Sequence, residues 1–162
     1  MVRPLFTRES KIRIDRDGHF WHEGARVEHP GLARAFARWI ALDSETGRYI
    51  LKNDVDWCFV TVDDAPLVVR ALDAEMRLHL SDDETEPLDP KTLRIDENDV
   101  PYCDVRGGTL PARFSRAGAF ALLERARPAP SGGVLIALPG GGEIEIPRVP
   151  RGQGARVRSP GR

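Results

Sequence analysis

The chain runs through one sequence of hydrophobic rhythms and then repeats it. Near the start, Ile12 and Ile14 alternate with polar neighbours, the period of a half-buried strand. Asp17-Gly18 follows as a hairpin turn into "HFWHEG", read as a second strand. Pro30 stands where a first helical turn tolerates a residue without an N–H. Leu32, Phe36, Trp39 and Ile40 recur at i, i+4, i+7 and i+8, which predicts one apolar helix face, with Arg34 and Arg38 opposite and an end near "LDSETG". "YIL" and "WCFVTV" give two more strands, the latter apolar on both faces and therefore central in a sheet.

"IRID" at 12–15 returns as "LRID" at 93–96, an offset of 81. Gly24, Ala33, Ala35, Phe36 and Ala37 return as Gly108, Ala117, Ala119, Phe120 and Ala121, an offset of 84. The three extra residues are expected in the turn after the motif, where "DRDG" becomes "DENDVP". In the second copy Ser115 is a helix N-cap, and Ala117, Phe120, Ala121 and Leu123 are expected on the buried side. "GVLIAL-PGGG-EIEIP" closes a hairpin through its glycines, with Ile144 and Ile146 pointing inward. Between the copies, "PLVVRAL" and "MRLHL" read as an added hairpin, followed by the acidic loop "SDDETEPLDP".

The pattern predicts an α+β protein built on an internally duplicated strand–strand–helix–strand–strand unit with antiparallel sheets. The expected divisions are an N-terminal arm at 1–10, a first repeat with the added hairpin at 11–90, a second repeat at 91–149 and a disordered basic tail at 150–162. Neither copy alone would bury a generous core, so the two are expected to pack together.

Charge changes this picture in one respect. The net charge is −1, but residues 148–162 carry five arginines and no acid, leaving 19 basic against 25 acidic residues in the remainder. A body of that sign repels phosphate backbones, which argues against dedicated nucleic-acid binding. Arginine outnumbers lysine 21 to 3, read as compositional bias rather than as a set of phosphate contacts. No apolar run reaches the ~20 residues of a membrane span. The start "MVRPLFTRESKIRID" lacks the apolar stretch of a signal peptide, so a cytoplasmic protein is expected. Cys58 and Cys103 lie in apolar runs and read as reduced thiols.

Candidate chemistry is sparse. His19 and His22 flank "FW", but a separation of three puts them on opposite strand faces, so no metal site is assigned. His29 precedes Pro30 and is placed to begin the helix, while His79 alternates with Leu78 and Leu80 as an exposed strand residue. Asp82, Asp83 and Glu84 read as solvated loop acids. No nucleophile elbow or Walker-type loop is present, so no catalytic residue and no cofactor are assigned, and an enzyme is the least favoured class. The remaining candidate is "VPYCDVRGGTLPARFSRAG" at 100–118. Read as strand, double glycine and helix, it would offer Gly107 and Gly108 for backbone approach and Arg106, Arg113 and Arg116 for bidentate contacts to an anion. The alternative is a glycine turn whose arginines pair with Asp96, Asp99 or Asp104.

"IRIDRDGHFWHEG", "VDDAPLVV" and "PYCDVRGGTLPARFSRA", in that order, resemble the bacterial domain-of-unknown-function family 1285 over residues 11–149. The resemblance implies a duplicated α+β core whose second copy is pleckstrin-homology-like. It also implies a nucleotide-like ligand between the halves and a part in signal transduction, without an established activity. The matching positions are Trp21, His22 and Gly24, then Asp64, Ala65 and Pro66, then Tyr102, Arg106, Arg113 and Arg116. Ser81-Asp82 and the acidic "ARVEH" depart from the family pattern. The expected ligand is thus a small anion held by Arg106, Gly107, Gly108, Arg113 and Arg116, with Tyr102 or Trp21 stacking on a base and His22 nearby. The alternative is a protein-interaction domain with no small ligand.

Overall fold

The computed structural model describes residues 8–156. In chain order, the first copy comprises β1 (Glu9–Ile14), β2 (Phe20–His22), β3 (Ala25–Arg26), α1 (Pro30–Trp39), β4 (Ile40–Leu42), β5 (Tyr49–Lys52) and β6 (Trp57–Val62). A hairpin of β7 (Leu67–Leu72) and β8 (Arg77–Leu80), extended by β9 (Thr85–Pro87), follows. The second copy comprises β10 (Arg94–Ile95), β11 (Pro101–Val105), β12 (Leu110–Phe114), α2 (Arg116–Leu123), β13 (Ala126–Pro128), β14 (Val134–Ala137) and β15 (Glu143–Ile146).

Each copy therefore reads three strands, helix, three strands, one strand more on each side of the helix than the sequence pattern indicated. The first sheet runs β3-β2-β1-β6-β5-β4, with β1 and β6 parallel at its centre. In the second copy β12-β11-β10 and β15-β14-β13 pair in the same sense, and the parallel joint recurs as a bridge from Ile95 to Arg148. The Ile95 N–H donates to the Pro147 carbonyl at 3.0 Å, and the Val149 N–H donates to the Ile95 carbonyl at 2.8 Å. This shared order, together with two similar six-stranded sheets, marks a duplicated unit. The sheets are not purely antiparallel, because β12 also runs parallel to β7.

That last pairing fixes the sheet to which the central hairpin belongs. The central hairpin belongs to the second sheet, in the order β10-β11-β12-β7-β8-β9, and not to the first. The extra three residues lie elsewhere than expected. The turns Asp15–His19 and Asp96–Val100 have equal length and equal hydrogen bonds, so the insertion lengthens the hairpin of β11 and β12.

Helix α1 begins as the sequence indicated, with His29 Nδ1 accepting from the Leu32 N–H at 3.2 Å and Pro30 in the first turn. It ends at Trp39, before the expected boundary, because Ile40 turns extended and enters β4. Ser115 caps α2 by accepting from the Gly118 N–H. The buried side of α2 is Gly118 and Leu122, with Phe120 left 68% exposed and Leu123 also outside. The face is rotated because α2 lies close on β7: a Cβ at Gly118 would come 2.6 Å from the Val69 carbonyl oxygen.

The core is continuous across the two copies, from Ile14, Phe20 and Ile40 to Leu67, Leu78, Phe114 and Leu122. Cys58 and Cys103 are free thiols, as expected. Among the described residues no helix is long and apolar enough to cross a membrane. Within residues 150–156, expected to be disordered, Gly154 is buried against the second copy. Arg94, 1% exposed, donates through Nε to the Gly154 carbonyl at 2.8 Å, and Gly154 lies on the Tyr102 ring too closely for any Cβ. Residues 157–162 of that tail, and 1–7 of the expected arm, fall outside the described residues.

The copies meet at Gly18, whose φ of +84° favours glycine and where a Cβ would come 2.9 Å from Val68 Cγ2, too close for a side chain. Gly18→Val is therefore expected to cost about 2–4 kcal/mol in urea unfolding. A loss below ~0.5 kcal/mol, the scale of a surface change, would mean that the turn does not bear on β7.

Candidate functional site

One turn geometry, present in both copies, builds part of the lining of the candidate site. Asp15 Oδ1 accepts from the N–H groups of Asp17 and His19, both at 2.9 Å, and Asp96 Oδ1 accepts from Asn98 at 2.9 Å and Val100 at 3.0 Å. A carboxylate that satisfies two turn N–H groups folds the chain back on itself without outside help. The two turns are equivalent in the repeat, and both line a cavity of 630 Å³. Arg16, Asp17 and His19 come from the first turn, Asn98 and Asp99 from the second, Arg70 from β7, and Arg113, Ser115 and Arg116 from the junction of β12 and α2.

The charges in this cavity are of two kinds. Arg113 donates through Nη1 to Asp64 Oδ2 at 2.8 Å, and the Tyr102 hydroxyl donates to the same oxygen at 2.7 Å. Burial pushes the Tyr102 hydroxyl well above its ordinary pKa, reinforced by the Asp64 carboxylate. Burial would lower the Arg113 pKa, but Asp64 outweighs it and the net shift is upward, so the guanidinium stays charged. Asp99 is paired with Arg148. Arg16, Arg70 and Arg116, by contrast, have no side-chain hydrogen bond or ion pair among the described residues. Arg116 opens α2, where the helix N-terminus adds positive potential.

Of the residues assigned from sequence to the expected ligand, Arg113 and Arg116 line this cavity and Arg106, Gly107, Gly108, Tyr102, Trp21 and His22 do not. Arg106, Gly107 and Gly108 form the hairpin turn between β11 and β12, all three at positive φ. The order is strand, double glycine, strand, so the glycines face no helix N-terminus, and the length of β12 separates them from Arg116. Arg106 reaches back to the first copy: Nη1 donates to the Ile40 carbonyl, and Nη2 donates to the Ala37 carbonyl and to Asp82 Oδ2, at 2.7, 2.7 and 2.8 Å. Its partner is Asp82, outside the Asp96, Asp99 and Asp104 set considered from sequence.

Asp82, Asp83 and Glu84 are likewise not merely solvated. Arg34 pairs with Asp83 at 2.6 Å and Arg38 with Glu84 at 3.2 Å, so the turn docks on α1. Tyr102 is covered by Gly154 and cannot stack on a base. Trp21 donates through Nε1 to Asp15 Oδ2 at 2.8 Å and lies under Arg13, while His22 is exposed on β2. The donor atoms of Asp15, Asp17 and His19 lie within 4.8 Å of one another, but both Asp15 oxygens are already engaged by N–H donors of the turn and of Trp21.

Sequence reasoning missed Arg16 and Arg70. The available signals were a charge interrupting the buried run "LVVRAL" and a basic residue inside the repeated turn.

Two consequences are measurable. Burial would raise the Asp15 pKa, but the hydrogen bonds from Trp21, His19 and Asp17 outweigh it and hold the carboxyl below the usual range. Its contribution is full above the unfolded value of about 3.9 and fades as pH falls through the folded value. Asp15→Asn should flatten the fall in Tm below about pH 4; parallel acid limbs would refute this. Arg106→Ala leaves the buried Asp82 carboxylate without its cation and removes the donors to the Ala37 and Ile40 carbonyls, and should cost about 3 kcal/mol in chemical denaturation. Wild-type stability would contradict the structural assignment.

Residues 2–65 match the model described as "Domain of unknown function (DUF1285), N-terminal domain". Two solved structures, each titled as a DUF1285 family protein, share the fold. The one from Silicibacter pomeroyi DSS-3 has a TM-score of 0.66 at 21% identity, over 86% of this chain and 79% of that one. The one from Shewanella baltica OS155 has a TM-score of 0.57 at 20% identity, over 68% of this chain and 88% of that one. Curated proteins offer no match.

Proposed function

We propose that this chain, which resembles the DUF1285 family in sequence at its N-terminal part and in fold over most of its length, is a ligand-binding module that holds a small anion in the cleft between its two copies. The observation that carries the reading is the set of three arginines without a partner among the described residues, Arg16, Arg70 and Arg116, drawn from three separate elements to one 630 Å³ cavity. Surface arginines in this protein are otherwise commonly paired: Arg34, Arg38, Arg48 and Arg127 all have carboxylate partners. A volume of this size suits a metabolite rather than a macromolecule. Among the described residues Asp17 is the one cavity carboxylate not bound to an arginine, so their excess is two positive charges, which matches a phosphomonoester or a dicarboxylate. A nucleoside monophosphate is one member of that class. A signalling role, implied by the family resemblance, would follow if occupancy altered how the two turns face each other.

A second reading, an interaction module without a small ligand, draws support from Phe120 at 68% and Leu123 at 38% exposure on α2. A thermal-shift screen with inorganic phosphate, adenosine monophosphate and succinate separates the two. A ligand at 100 times its dissociation constant adds ~2.7 kcal/mol, which raises Tm by several degrees at this size. Arg70→Ala and Arg116→Ala should abolish the shift while leaving the Tm of the free protein within about 2 °C, since neither side chain has a partner to lose. No shift with any probe would transfer the weight to Phe120 and Leu123.

A further inference from the structure

We infer that the ligand has two parts, and that a second recess beside the arginine cleft takes its uncharged, hydroxyl-bearing body. This rests on the anion-binding reading above. The recess has a volume of 330 Å³ and shares Arg70 with the main cavity. The two adjoin along one seam. Gly18, in the second recess, is flanked in sequence by Asp17 and His19, both in the first. Val68, in the first, is tied to Ser81, in the second, by paired bonds of 3.0 and 2.9 Å through Ser81 Oγ and the Ser81 N–H.

The chemistry of the two spaces is complementary. The first holds the unpaired cations. In the second, Arg34 is neutralised by Asp83 at 2.6 Å, leaving Arg70 as its one unpaired charge, at the junction. The walls are otherwise Phe20, Pro30 and Ala33, with Ser81 and Asp83 as polar groups. Arg34 bonds Asp83 through Oδ2, so Oδ1 remains able to accept from a ligand hydroxyl. An anion placed at Arg70 can therefore carry a neutral body past it into the recess. The fitting class is an organic phosphomonoester with hydroxyl donors on a ring-sized body, in preference to free phosphate.

The test is calorimetric titration of the full chain with inorganic phosphate and with ribose 5-phosphate. Ribose 5-phosphate is expected to bind at least tenfold more tightly. Ala33→Leu, which narrows the recess, and Asp83→Asn, which removes the acceptor at a turn position that asparagine tolerates, should each reduce that advantage severalfold. Phosphate binding should persist in both variants. Equal affinity of the wild-type protein for the two probes, or an advantage that survives Asp83→Asn and Ala33→Leu, would overturn the two-part ligand while leaving the arginine cleft standing. Binding of neither probe would overturn the anion-binding reading itself.

Discussion

The Asp82 carboxylate, with its side chain 2% exposed, is the charge on which the assembly of the two copies depends. A lone carboxylate at that depth would be prohibitively desolvated. It is tolerated because Arg106 reaches it from the second copy and, with the same guanidinium, satisfies the carbonyls of Ala37 and Ile40 where α1 ends. The Glu84 N–H takes the other Asp82 oxygen. One side chain thus joins a helix C-terminus, the turn after β8 and the turn after β11. Arg106 can do this because it sits at positive φ, and the two glycines that follow continue the left-handed path. The double glycine that suggested a ligand loop is what aims an internal clamp.

The same economy appears in the turns. Aspartates 15, 73 and 96 each accept from the N–H groups two and four positions ahead, and the residue three positions ahead is left-handed in every case. At that position stand Gly18, Met76 and Asp99, so the aspartate, rather than a glycine, is the common element. Two of these turns line the cleft and the third joins β7 to β8, so the duplicated strands and the added hairpin are closed by one device.

Against this background the arginines sort by partner. Arg94, Arg106 and Arg113 are tied to Asp104, Asp82 and Asp64 and hold elements together. Asp64 also links the cleft to the C-terminal segment, because it accepts from Tyr102 as well as Arg113, and Gly154 lies on the Tyr102 ring. Arg16, Arg70 and Arg116 have no such tie. Their convergence, and not the number of arginines in the chain, distinguishes the cleft.

Much of the fold was legible because its signals are local. The alternation at Ile12 and Ile14, the caps at His29 and Ser115, the repeat of "RID" and the strands from "YIL" to "EIEIP" depend on neighbours within a few residues. The short strands β3, β4 and β13 were not legible, since two or three residues carry too little periodicity and are extended only because a partner strand pairs with them. The burial of α2 was misjudged for a related reason: the repeat implied that Phe120 would take the place of Phe36, but close contact with β7 selects Gly118 and Leu122. The sequence by itself determined the duplicated α+β plan and two of the cleft arginines, because periodicity and turn chemistry are written in adjacent positions. Only the tertiary structure decided which arginines are spent on Asp64, Asp82 and Asp104 and which remain unpaired, because an ion pair is settled by distance in space between residues far apart in the chain.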